Sequence, residues 1–242
     1  CGATIEELNT VRKRLDLIKG GGLIRAIKGI KVVNLFISDV KEDRIDLIAS
    51  GMTLEDPSTP GEAMGVLQKY GVISRIPVAV LDVLQATNMT KLTYNRTKPF
   101  STNPILFNHP SAIQGVLLKA RESGWCAEAL GWILHGEARD KGKELSDRLS
   151  QAALDPDVSK PICLVGGGET TVHVVGQGIG GRNLETALAA VEGISGLERV
   201  ALITFATDGE DAQTGYAGAV VTEKTKQIAS EQGLSANVFL ED

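Results

Sequence analysis

Between Ile5 and Ile18 the apolar residues Leu8, Val11, Leu15 and Ile18 recur at helical spacing, so the chain opens on a helix that reads as already under way. Lys19-Gly20-Gly21-Gly22 breaks the stripe, and LIRAIKG follows as a second short helical run. The apolar run Lys31 to Ser38 has strand length and ends at Asp39, as a buried parallel strand with a polar carboxyl edge would. Ile45 to Ala49 reads as another strand leading into Ser50-Gly51, and Asp56 to Pro60 is loop by composition. Helices are expected over 61–70 behind Pro60, over 76–84 with Pro77 near its start, and over FNHPSAIQGVLLKARESGW, capped by Ser111 and stopped at Gly124. The polar stretch 87–104 is expected to be loop.

Further on, Ala127 to His135 predicts a strand and Gly136 to Ala153 a charged amphipathic helix. Ala153 to Pro161 is polar, holds two prolines and marks a domain boundary, giving domains 1–155 and 156–242. Ile162 to Val165 is a strand running into Gly166-Gly167-Gly168-Glu169, and Thr171 to Val175 a second strand running into Gly176 to Gly181. A helix from Arg182 to Val191 and a strand from Val200 to Ala206 follow, then a mostly helical stretch from Tyr216 to Gln232 and a strand at Asn237 to Leu240. Strands alternating with helices define the class as α/β, two α/β domains with mainly parallel sheets.

Composition narrows the field. At 242 residues and 43% hydrophobic, the chain can bury one large core or two smaller ones. Its 27 glycines exceed the usual share and point to tight turns or backbone-lined ligand loops. A formal net charge of −5 argues against nucleic acid or an anionic membrane as the main partner. No apolar stretch reaches the roughly 20 residues that cross a bilayer, and no signal peptide is visible. Cys1, Cys126 and Cys163 form no CxxC pattern, which fits a reducing cytoplasm. His109, His135 and His173 are equally scattered and are read as structural, with no zinc site. Without an initiator Met, and with NVFLED reading as a strand cut short, a fragment is expected.

In open parallel sheets, ligands gather beyond the carboxyl ends of the strands. The expected strand ends are Ser38-Asp39, Ser50-Gly51, Gly166 to Glu169, Gly176 to Arg182 and Thr207-Asp208-Gly209. Glycine amides and an arginine suit phosphate oxygens, and carboxylates suit a divalent ion. Gly176, Gly178 and Gly181 spell G-x-G-x-x-G, open to three readings: a dinucleotide fingerprint, another anion site or a structural turn. The acidic residue the fingerprint needs is missing, since Glu198 precedes the strand it should end. Arg182 opens a helix, where the macrodipole favours an anion; the bland alternative is a solvated arginine. Gly166 to Gly168 is no Walker loop, because no Gly-Lys-Ser/Thr follows, but three glycines imply close approach of a ligand or a neighbouring strand. Asp208, with Glu210 and Asp211 behind it, is a magnesium ligand, a general base or a turn aspartate, and Asp39 invites the same readings. Lys19 is a point charge for a phosphate or a helix C-terminus.

Taken in order, IEELNTVRKRLDLIKGGGLI, SDV, ASGMTLEDPST, LVGGGETTVHVVGQGIGGRNLE and ATDGEDAQTGYAGA resemble the glycerate 2-kinase family. That family joins a larger amino-terminal α/β domain to a smaller carboxyl-terminal domain known as MOFRL. Five motifs in one order are far more specific than a single glycine loop. The resemblance implies ATP-dependent phosphorylation of D-glycerate at its 2-hydroxyl, with Mg2+, in an interdomain cleft. It also implies an earlier portion with glycine-rich segments and a conserved lysine, and a further piece beginning near Asp242, both bearing on whether this stretch is active alone. Carried over, Gly180, Gly181, Arg182 and Asn183 with Glu185 form an anion-binding corner. Gly167, Gly168, Glu169 and Thr207-Asp208-Gly209 form its other walls, and Gly178, Lys19, Ser50 and Gly51 are further nucleotide contacts. Arg182 would offset transition-state charge, Asp208 hold metal or act as base, Glu169 meet metal or the substrate hydroxyl, and Asp39 hold metal. Gly22 stands where the family often has Arg, and Met52 where it usually has Pro. The runner-up is an NAD(P)H-dependent hydroxypyruvate reductase, motivated by the glycine fingerprint; a third reading is a non-catalytic nucleotide- or carboxylate-sensing module. The expected partners are D-glycerate and ATP, with a homo-oligomer left open.

Overall fold

The computed structural model describes residues 2–27, 30–86, 101–155 and 160–241. The chain forms two compact units, Cys1–Asn108 and His109–Asp242.

The first unit contains α1 (Ile5–Leu15), α2 (Gly22–Ala26), β1 (Val32–Val33), β2 (Phe36–Ile37), α3 (Pro60–Lys69), α4 (Val78–Gln85), β3 (Ser101–Thr102) and β4 (Ile105–Phe107). The Thr4 hydroxyl accepts from the Glu7 amide at 3.2 Å while the Glu7 carboxylate accepts from the Thr4 amide at 2.9 Å. This capping box begins α1 at Ile5, where the apolar stripe suggested a helix already running. Thr59 and Glu62 build the same box for α3, with Pro60 at its first position. Ala63, Leu67 and Leu84 form the buried centre between α3 and α4, and Val11 of α1 packs against it.

The expected strand 31–38 is divided. β1 pairs parallel with β3 and β2 with β4, while the amides of Asn34, Phe36 and Ser38 donate in turn to Thr102, Pro104 and Phe107. The break falls at Pro104, which has no N–H to return to a ladder. The expected strand 45–49 is absent: Ile48–Ser50 form a 3-10 turn with Ala49 and Ser50 at positive φ. An apolar run of that length does not by itself distinguish strand from turn or helix. Most of the expected loop 87–104, residues 87–100, lies outside the described residues.

The second unit contains α5 (His109–Glu122), β5 (Cys126–Glu137), α6 (Ala138–Ala153), β6 (Ile162–Thr171), α7 (Arg182–Ile194), β7 (Ala201–Phe205), β8 (Gly218–Thr222), α8 (Thr225–Glu231) and α9 (Ala236–Glu241). β5 and β6 run parallel, and β7 and β8 antiparallel. Part of the stretch 216–232 is thus strand, because Val220, Val221 and Thr222 are β-branched and pair with β7. The expected strand 237–240 is helix: Ala236 is buried in the core cluster, and the Phe239 amide bonds the Ser235 carbonyl. At the expected boundary, residues 156–159 lie outside the described residues. The core gathers Ala187, Ala190, Val191 and Ile194 of α7 with Leu202, Val221 and Ala236. α6 and α7 meet along small residues, since a methyl on Gly142 would overlap the Thr186 carbonyl and one on Gly193 would overlap the Ser146 side chain. Among the described residues no helix is long and apolar enough to cross a membrane.

Gly142→Ala therefore has an expected sign opposite to helix propensity. An exposed helical Gly→Ala gains about 1 kcal/mol, whereas overpacking this seam costs about 1–3 kcal/mol; a raised melting temperature would refute the close packing. Glu7 supplies a pH test. Hydrogen bonds from Lys69 at 2.6 Å and Tyr70 at 2.7 Å, then from the Thr4 amide, lower its pKa from 4.5 to about 2. A depressed folded pKa gives stability that is present above 4.5 and lost as pH falls toward about 2. Glu7→Gln should flatten that limb of an acid-unfolding curve followed by circular dichroism.

Candidate active site

The glycine run lies inside β6, not beyond it. Gly167 stands opposite Trp132 and Gly168 opposite Leu134 in the parallel ladder with β5. Gly168 has φ +140, and a methyl there would overlap the Leu134 carbonyl; a methyl on Gly167 would overlap the His109 imidazole. These two glycines thus admit the chain's own backbone and His109 at close range. Burial disfavours the imidazolium and pushes the His109 pKa down.

β6 ends at Thr171, where the Glu137 carboxylate accepts from the Thr171 hydroxyl at 2.9 Å and from the His173 amide at 3.2 Å. Because β5 also stops at Glu137, residues 172–175 have no ladder to join and the expected strand 171–175 is absent. Residues 172–181 form neither helix nor strand, so the Gly176-Gly178-Gly181 pattern lacks the strand that a dinucleotide fingerprint requires.

Gly181 is the N-cap of α7 and Arg182 its first residue. The Arg182 guanidinium donates through Nη1 to Glu169 Oε1, and both side chains are exposed, at 47% and 61%. Two predicted site residues are thus brought together on open surface. Asn183 donates through Nδ2 to Asp211 Oδ1 at 3.3 Å, and its carbonyl accepts from the Thr204 hydroxyl at 2.8 Å. Asp211 is only 2% exposed, and its Oδ2 accepts from the Leu184 amide at 2.8 Å. Nothing in the pattern ATDGEDAQ separates this aspartate from Asp208 or Glu210; the one available hint was a helix start whose N-cap, glycine, carries no acceptor. Glu185, expected at the anion corner, pairs with Arg139 at 2.9 Å between α7 and α6.

Asp208 sits in the turn after β7, where the Gly209 amide bonds the Ala206 carbonyl at 3.1 Å. It is exposed, its Oδ1 accepts from the Glu210 amide at 3.4 Å, and no bond among the described residues joins it to Arg182 or Glu169. A hollow of ≈ 60 Å³ in this unit, lined by Val191, Lys226 and Leu234 among others, shares no residue with the corner.

The remaining predicted residues lie in the first unit. The Gly20 and Gly21 amides donate to the Ser50 and Gly51 carbonyls at 3.0 and 2.8 Å, which lays the Lys19 loop beside Ser50-Gly51. Lys19 Nζ reaches Asp16 at 3.3 Å. The Ile18 and Lys19 amides, then the Lys19 ammonium, hold the Asp16 carboxyl below its ordinary pKa. The Ser50 hydroxyl turns inward to Asn9 Oδ1 at 3.0 Å. Asp39 is exposed after β2. Among the described residues no group of three or more His, Cys, Asp or Glu forms a metal cage.

Residues 1–85 match the family described as "Domain of unknown function (DUF4147)", and residues 162–242 match the MOFRL family. The chain is 36% identical to a D-glycerate 2-kinase of Thermotoga maritima, covering 100% of this chain and 56% of that protein. A crystal structure of glycerate kinase from Thermotoga maritima matches with a TM-score of 0.84 at 36% identity, covering 99% of this chain and 56% of that one. A glycerate kinase of Macaca fascicularis is 30% identical, covering 99% of this chain and 70% of that protein. A protein of Agrobacterium vitis named putative hydroxypyruvate reductase is 37% identical, covering 99% of this chain and 54% of that protein. The fold is α/β with mainly parallel pairing, ending in a MOFRL unit. The chain belongs to the glycerate 2-kinase family. It spans little more than half the length of the Thermotoga and Agrobacterium proteins.

The contact between Gly167 and His109 can be tested directly. Gly167→Ala should expel the imidazole toward solvent, so that its pKa rises toward 6.5. Histidine resonances followed by NMR across pH 4 to 8, about two units either side of a free imidazole, would show it; an unchanged His109 titration would contradict this packing.

Proposed function

We propose that the full-length protein transfers the γ-phosphoryl group of ATP to the 2-hydroxyl of D-glycerate, giving 2-phosphoglycerate and ADP. The observation that carries this reading is the Arg182–Glu169 pair at the start of α7, within a chain of the glycerate kinase family. In phosphoryl transfer the protein mainly positions groups and offsets charge. Arg182 is exposed enough to exchange its carboxylate partner for a phosphate or the substrate carboxylate, and its planar fork suits either. Glu169, released from that pair, becomes free to accept from the substrate hydroxyl.

Mg2+ needs only one or two carboxylates beside phosphate oxygens and water. Asp208 fits that demand, since the residue is exposed and its Oδ1 accepts one long bond from the Glu210 amide. Asp208 and Asp39 are the residues that would hold the ion, which would supply positive charge to offset that of the phosphate groups. On the same reading residues 1–155 belong to the larger domain and 156–242 to the MOFRL domain. The cytoplasm is the proposed setting, where the free Cys126 and Cys163 thiols stay reduced. The reductase reading gains nothing from the corner, since the glycine fingerprint lacks its strand.

The test is ADP release on adding D-glycerate to the full-length protein, with and without Arg182. Removing a transition-state arginine lowers kcat by about 10³-fold or more. Wild-type turnover in Arg182→Ala would dismiss that role, and NADH oxidation by hydroxypyruvate without ADP release would favour the reductase.

A further inference from the structure

We propose that Asp211 is the positioning residue of the α7 corner, its buried carboxylate fixing the first turn of the helix and hence the place of Arg182. The catalytic consequence rests on the kinase reading; the effect on the helix start does not.

A carboxylate buried this deeply is tolerated only when donors surround it. Asp211 takes the Leu184 amide at 2.8 Å and the Asn183 amide side chain at 3.3 Å. Leu184 is the third residue of α7, and its N–H is among those that an N-cap side chain normally satisfies. Gly181 has no such side chain, so the cap arrives from a loop 27 residues downstream. Glycine is also the residue that makes room for it: a Cβ at 181 would lie 2.5 to 2.6 Å from the carboxyl carbon and both oxygens of Asp211. The cap and the missing side chain are two halves of one arrangement.

Asp211 is itself held. Its amide donates to the Tyr216 carbonyl at 2.7 Å, its carbonyl accepts from the Thr214 hydroxyl at 2.7 Å, and the Gly215 amide bonds Glu210 at 3.2 Å. On the other side, the Thr204 hydroxyl of β7 holds the Asn183 carbonyl. Gly181, Asn183 and Leu184 are therefore pinned to β7 and the 210–216 loop, while the exposed Arg182 between them alone extends to Glu169. Asp211 also sets a negative charge against the positive end of the helix dipole. Anion recognition at this corner then falls to the guanidinium more than to free helix amides.

The experiment compares Asp211→Ala, Asp211→Asn and Leu202→Ala, a core change that removes none of the hydrogen bonds at the corner, in the full-length protein. Hydrogen exchange of segment 181–186 and steady-state kinetics with ATP and D-glycerate are both read. Asp211→Ala is expected to lose protection in 181–186 and about 10²-fold in kcat, the scale of a small misplacement of a catalytic group, with KM for D-glycerate changing less. Asp211→Asn keeps one oxygen for the Leu184 amide and should recover part of both losses. Leu202→Ala should lower the melting temperature without the loss in kcat. Unchanged protection in Asp211→Ala overturns the proposal, as does lost protection with wild-type kcat, or an equal kcat loss in Leu202→Ala. If Asp211→Ala does not fold, Asp211→Asn decides alone: wild-type exchange together with wild-type kcat overturns the proposal. A wild-type protein that releases no ADP with D-glycerate removes the kinase reading, and the exchange comparison still decides whether Asp211 sets the turn.

Discussion

A carboxylate sealed from water has to be answered by donors, and around Asp211 those donors are the first-turn groups of α7. Much of the second unit leans on that match. α7 supplies most of the buried core, meets α6 through a seam of small residues, and packs against the strands β7 and β8. At its amino end core, sheet loop and exposed cation come together. Displacing that end disturbs a scaffold that tolerates little change of volume, because close-packed interiors repack poorly.

The same match changes how an anion would be recognised. A helix start is commonly pictured as a row of unclaimed amides. Here Leu184 is claimed by Asp211, and the arginine beside it is claimed by Glu169. The chain thus meets its own positive groups with its own carboxylates. One is buried and permanent, whereas the other is exposed and weakly held, since solvent-exposed ion pairs contribute about 0–1 kcal/mol. That contrast divides the corner into a fixed frame and an exchangeable contact.

Much of the helical framework was legible in the apolar spacing: α1, α3, α4, α5, α6 and α7 fall where periodicity put them, although α5 starts at His109, ahead of the Ser111 expected to cap it. The short strands were less legible. Runs of four or five residues such as Ile45 to Ala49 and Asn237 to Leu240 carry too little pattern to separate strand from turn or helix, and only their packing decides. β8 was hidden in a stretch read as helical, because its pairing with β7 is a tertiary fact. At the corner, Arg182 and Glu169 could be singled out from the glycine-rich motifs around them, and the structure brings them together. Asp211 could not be singled out, since burial is what distinguishes it from its acidic neighbours. The glycines of β6 were recognised as places of close approach, yet what approaches is β5 and His109.

The end of β6 carries one further consequence. Glu137 takes the His173 amide at one limit of the irregular segment 172–181, and Asp211 braces Gly181 at the other. A span tethered at both anchors can rearrange without unzipping the ladder or unwinding the helix. Its closure entropy has already been spent in folding, and for a loop this short a further residue would add only tenths of a kcal/mol. Length variation among relatives would therefore be absorbed between these anchors, leaving the guanidinium and its carboxylate partner in register.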